Sequence, residues 1–189
     1  MFLERTYINK KMKTMKETKT RYFNNPETLE DLKSAYRELA MKHHPDRGGS
    51  EEVMKAVNNE YDELFQMLKN IHRTRNGETY RSGEETSETP GHFKEIISEL
   101  MRMDDIIIEV IGCFIWVTGN TKVYKDRLKE LKFEWQQRKS AWYLKPDDYR
   151  IHNHQYYSLD EIRAMYGTGG EINSTGTKKL TLKLSNDEI

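Results

Sequence analysis

A single cysteine, Cys113, rules out an intramolecular disulfide, and without a C-x-x-C pair the chain offers no zinc ribbon or thioredoxin-type site. Apolar residues are scarce, 35% against 33% charged, so the 189 residues suit one average domain or two small ones with modest cores. No apolar run approaches the roughly 20 residues of a spanning helix, and the N-terminus lacks the apolar centre of a secretion signal. These absences predict a soluble protein of a reducing cytoplasm. Net charge is absent as well: 31 Lys and Arg balance 31 Asp and Glu, so no global field draws the chain to nucleic acid or to a membrane.

The charge is unevenly placed, however. Residues 1–21 carry seven Lys and Arg against two acids, whereas 22–70 carry six against ten. A basic N-terminal arm, with Met12 and Met15 inside it as possible later starts, therefore precedes an acidic module.

Within that module, Leu29, Leu32, Ala35/Tyr36, Leu39 and Ala40 recur at helical spacing. Thr28-x-x-Asp31 forms a capping box, and Pro45 with Gly48-Gly49 ends the helix at His43 or His44. Ser50, followed by Glu51 and Glu52, opens a second helix whose stripe is Val53/Met54, Val57, Tyr61, Leu64/Phe65 and Leu68. Two amphipathic helices joined by about seven residues predict an antiparallel hairpin with His44, Pro45 and Asp46 at its tip.

The crowded tip admits several chemistries. A metal site at His43, His44 and Asp46 lacks a fourth ligand nearby. A hydrolytic His/Asp pair lacks a nucleophile, and a phosphate loop would need a preceding strand. Alternatively, Pro and Gly simply close the turn.

The stretch LKSAYRELAMKHHPDRGG followed by MKAVNNEYDELFQML resembles the J-domain of DnaJ-type co-chaperones over residues 22–70, with the signature tripeptide at His44-Pro45-Asp46. Two positions depart from the family: Met54 stands where Phe is usual, and Arg21–Asn25 leaves little room for a short first helix. The resemblance implies docking on a DnaK-type chaperone and stimulation of its ATP hydrolysis, so the chain itself is not expected to be an enzyme. Chaperone-binding residues would be His44, Pro45 and Asp46, with Lys33, Tyr36, Arg37, Lys42 and Arg47 around them. Lys33, Arg37 and Lys42 are expected on the exposed face as a cationic stripe, interrupted by Glu38, that steers onto an acidic partner. Asp46 would accept a charge-assisted bond from a partner arginine while Pro45 stiffens the tip.

Residues 71–92 are polar, without apolar period, and predict a linker; they contain no Phe and thus are not a Gly/Phe-rich region. Residues 93–167 predict a small α+β domain: a helix from Phe93 to Met101, strands around 106–111 and 114–118 joined at Gly112-Cys113, and a helix with Tyr124, Leu128 and Leu131 inward. A second hairpin turning at Arg138-Lys139 would set Trp135 opposite Trp142, both in the core. Ser158-x-x-Glu161 caps a last helix ending at Gly167. Residues 168–189 form a loose tail with a possible edge strand at 180–184. The overall fold class is α+β, with an all-α N-terminal hairpin.

The segment from Trp116 to Leu144 resembles in outline a C-terminal unit of small J-proteins from bacteria, phages or mobile elements, a resemblance that implies a domain boundary and no particular activity. One reading makes this domain the selector of an unknown client or partner protein. The other is a nucleic-acid-associated phage or mobile-element protein in which Lys122, Lys125, Lys129, Arg138 and Lys139, beside aromatics, hold single-stranded nucleic acid. Against it, residues 93–150 hold eleven Lys/Arg and ten acids. His152-x-His154 has metal-ligand spacing but no fixed partner. No cofactor or metal is expected.

Overall fold

The computed structural model describes residues 21–74, 76–83, 86, 88–147, 149, 156–166 and 172–173. The basic arm up to residue 20, His152 and His154, Gly167 and the 180–184 strand lie outside them.

The first helix, α1 (Leu29–His43), starts on the expected box: the Asp31 N–H donates to Thr28 Oγ1 at 3.2 Å and the Thr28 N–H to Asp31 Oδ2 at 3.1 Å. A 3-10 turn, Pro45–Arg47, leads to α2 (Glu51–Leu68), whose first turn is capped by Ser50 Oγ. Tyr36 and Tyr61 meet at the hairpin centre, 4.5 Å between ring centroids, and Met54 is buried beside them in the same core. Phe23 fills the space beside Tyr61, its chain held by backbone N–H groups of residues 21–23 on the Glu60 carboxylate. Residues 21–27 are not helical.

Beyond the hairpin the structure departs from the expected linker. Strands β1 (Ile71–Arg73) and β2 (Thr79–Arg81) pair antiparallel and lie against the start of α1, where His72 Nδ1 meets Glu30 at 2.7 Å and Arg73 pairs with Asp31 at 2.7 Å. Ile71 is buried. An apolar period is invisible in so short a ribbon because one residue anchors it and ion pairs do the rest.

Helix α3 (Pro90–Met101) begins one turn earlier than expected, with Thr89 as its cap. After it come β3 (Ile106–Ile111), β4 (Phe114–Gly119), a 3-10 turn at Thr121–Tyr124, α4 (Lys125–Glu130), β5 (Glu134–Gln136), β6 (Ala141–Leu144), α5 (Leu159–Tyr166) and β7 (Ile172–Asn173). The strands make one antiparallel sheet in the order β5-β6-β4-β3-β7. The fold class is α+β, as expected. Gly112, at φ +57°, turns β3 into β4, and Trp135 stands opposite Trp142. Gly119 has φ +89°, and a Cβ there would come within 2.5 Å of the Asp105 carbonyl.

Strand alternation divides the sheet into two faces. Ile106, Ile108, Val110, Ile115, Val117 and Trp142 join α3 and the hairpin in one continuous core. Ile111, Trp116 and Ala141 face the other way, against Leu159 and Ile162 of α5. There Arg163 reaches the buried Glu109 carboxylate with two bonds of 2.9 and 2.6 Å. One detail corrects the sequence reading: Trp135, on the sheet-edge strand β5, is 48% exposed rather than core.

Candidate functional site

The tip of the hairpin is built by backbone requirements before any side chain acts. His44 leaves the helix in an extended conformation, φ −63° and ψ +133°, as the following proline demands. Gly48, at φ +80°, closes the 3-10 turn onto the Pro45 carbonyl at 2.9 Å. Gly49 packs so closely on the end of α1 that a Cβ would lie 2.1 Å from the His43 carbonyl oxygen. The glycine pair therefore sets the angle at which the tripeptide is held.

His44 is buried, while Pro45 and Asp46 are exposed. The Asp46 N–H donates to His44 Nδ1 at 3.2 Å, which places the ring proton on Nε2, and this donates to Ser98 Oγ of α3 at 3.0 Å. Burial lowers the His44 pKa below the ordinary histidine value, opposed by Asp46 and aided by Arg102 and Arg47. The ring is thus a neutral strut between the tip and α3.

Asp46 presents its carboxylate outward and receives Arg102 Nε on Oδ2 at 2.9 Å. That bond holds the Asp46 pKa below the usual carboxylate range. Arg102 also donates to Glu99 at 2.7 Å, and the other Glu99 oxygen takes Arg127 of α4 at 2.5 Å. Arg47 donates to the Met101 carbonyl at 3.0 Å. A groove of about 510 Å³, with Ser98, Glu99, Arg102 and Arg127 in its wall, runs beside this network.

The expected cationic stripe does not face solvent. Arg37 is fully buried and donates to the Ile108 carbonyl of β3 at 3.1 Å, and burial lowers its pKa. Lys33, 2% exposed, pairs with Glu88 and lies 5.3 Å from the centre of the Phe93 ring. Tyr36 is buried, its hydroxyl donating to Asn58 at 2.8 Å, and burial raises its pKa. Only Lys42, Pro45 and Asp46 of the eight expected residues are exposed, with Arg47 partly so. The physical reason is that α1 has two covered faces: α2 packs on one, and β3 with α3 covers the other. A hairpin read alone leaves the second face free.

Ser98 and Arg102 were missed because nothing local ties them to a tip more than fifty residues away. Their one signal is the apolar face of α3, Phe93, Ile96/Ile97 and Leu100/Met101, which is too long for a small sheet to cover by itself.

The cations expected to hold nucleic acid occupy separate elements. Lys122, Lys125 and Lys129 are exposed on the 3-10 turn and α4. Arg138 and Lys139 cap the β5–β6 hairpin, both over the ring of Tyr156, with the Lys139 ammonium 4.3 Å from its centre. Among the described residues no group of three or more His, Cys, Asp and Glu could hold a metal, and no helix is long and apolar enough to cross a membrane.

No protein-family model matches the chain, and no solved structure does. A stretch of 65 residues, 34% of this chain, is 37% identical to the small t antigen of Budgerigar fledgling disease virus, of which it covers 42%. The same identity over 65 residues holds for the large T antigen of that virus, of which it covers 10%. The chain thus matches less than half the length of these curated relatives. Their N-terminal region contains a J-domain.

Proposed function

We propose that this chain is a J-domain co-chaperone that docks on a DnaK-type chaperone through the hairpin tip and stimulates ATP hydrolysis in that partner. The observation that carries the reading is the outward Asp46 carboxylate on a turn stiffened by Pro45 and framed by Gly48 and Gly49. The local likeness to the viral T antigens supports it. An anionic group fixed at an exposed turn is a suitable acceptor for a partner arginine, and such charge-assisted bonds are among the stronger polar contacts. With Lys33 and Arg37 covered, the partner would meet Lys42, Pro45, Asp46 and Arg47 rather than a long basic helix face. The C-terminal domain would then select the client or partner protein. Such a partner belongs in the cytoplasm, where the lone Cys113 stays reduced.

The half-exposed Trp135 favours a second reading, in which the C-terminal domain holds single-stranded nucleic acid of a phage or mobile element by stacking. Binding that falls steeply with salt would support it.

Asp46→Asn removes one charge at an exposed position, so the far-UV spectrum should be unchanged. Capture of a purified, ATP-loaded DnaK-type chaperone on immobilised full-length chain should be lost in that variant. Equal capture by parent and variant would remove Asp46 from the contact.

A further inference from the structure

We propose that Arg102 is an intrachain lock on the tip, occupying the Asp46 carboxylate that a partner's arginine would otherwise take. The inference rests on the co-chaperone reading above and adds to it a regulation of the same site.

Three contacts converge on the tip from the end of α3: His44 with Ser98, Arg47 with the Met101 carbonyl, and Asp46 with Arg102. They differ in how readily they can open. Ser98 and Met101 belong to a helix anchored in the core by Phe93, Ile97 and Leu100, so their contacts last as long as α3 stays docked. Arg102 follows the helix and holds Asp46 through a pair in which the side chains are 57% and 44% exposed. This pair can break with every other contact intact.

Glu99 aims the lock. It takes the Arg102 guanidinium at Nη1 while Asp46 takes it at Nε, and is itself fixed by Arg127, so the cation is held at Asp46 rather than left free to swing. Asp46 is the one carboxylate of the tripeptide, and Arg102 Nε takes its Oδ2. An incoming guanidinium that pairs with both carboxylate oxygens therefore competes with Arg102 for that atom. An exposed pair of this kind shifts such a competition by about two- to fivefold, and salt weakens it. The lock thus tunes affinity rather than blocking the site.

The test uses the full chain and a purified DnaK-type chaperone, with the co-chaperone concentration at half-maximal stimulation of ATP turnover as readout. Arg102→Ala should lower that concentration about two- to fivefold. Lys55→Ala removes the same charge from an exposed position of α2 outside this network and serves as control, expected near the parent. Equal half-maximal concentrations for parent and R102A, with stimulation lost in D46N, would overturn the lock and leave the co-chaperone reading standing. A higher concentration for R102A would also overturn it, since Arg102 would then assist docking. Absence of stimulation by both parent and R102A overturns the reading and the lock together.

Discussion

Replacing Phe93 by alanine removes the ring through which α3 holds the hairpin. That ring is 4% exposed, stacks on Tyr61 with centroids 5.8 Å apart, meets Tyr36 edge-on at 5.8 Å and covers the Lys33 ammonium. Loss of a buried phenylalanine costs about 3–5 kcal/mol in transfer and cavity terms. Its aromatic pairs contribute about 1 kcal/mol within that figure. A domain of ordinary stability has about 5–15 kcal/mol in all, so the variant should stay folded but with a clearly lower urea midpoint. Because one continuous core runs from Phe23 to Trp142, the loss should be felt on both sides of it. Far-UV ellipticity, dominated by the helices, and tryptophan emission, which reports the sheet, should shift together in a single transition. A drop below about 1 kcal/mol, or a tryptophan transition that stays put while the helical one moves, would refute the shared core.

Gly49→Ala forces a methyl against the His43 carbonyl at the end of α1, and a cost of about 1–3 kcal/mol should appear as a lower melting temperature. His44 makes stability depend on pH. Its folded pKa lies below the ordinary 6.5, so the unfolded chain binds more protons just below that value; stability is full above 6.5 and falls as pH drops toward the folded pKa. A ring titration by NMR should show a midpoint under 6.5, and a midpoint above it would contradict the buried, neutral strut. Arg163→Ala strands the buried Glu109 carboxylate and should cost about 3 kcal/mol in chemical denaturation, part of which Glu109→Gln in the same chain recovers.

What was legible in the sequence is local. The Thr28/Asp31 and Ser158/Glu161 boxes, the Pro-Gly punctuation of the tip, the Gly112 turn and the facing of Trp135 with Trp142 each depend on residues a few positions apart. What was not legible depends on distance along the chain. Lys33 and Arg37 have the spacing of a solvated stripe, and their burial follows from Glu88, Phe93 and the Ile108 carbonyl, 55 to 71 residues away in the two bonded cases. Long cationic stems are compatible with either outcome, because their methylenes can line apolar surface while the head finds a partner. The β1–β2 ribbon escaped for a similar reason: its anchors, Glu30 and Asp31, belong to α1. The pairing of Trp135 with Trp142 sets its neighbour and not its depth, and because β5 is an edge strand the ring lies half in solvent.

The central claim is that His44, Pro45 and Asp46 act on another protein's ATP, and single-turnover hydrolysis tests it most directly. A purified DnaK-type chaperone preloaded with ATP, mixed with excess full-length chain, should hydrolyse its nucleotide faster than alone, and His44→Gln or Asp46→Asn should return the rate to that of the chaperone alone. Equal acceleration by the parent chain and by both variants would contradict the account.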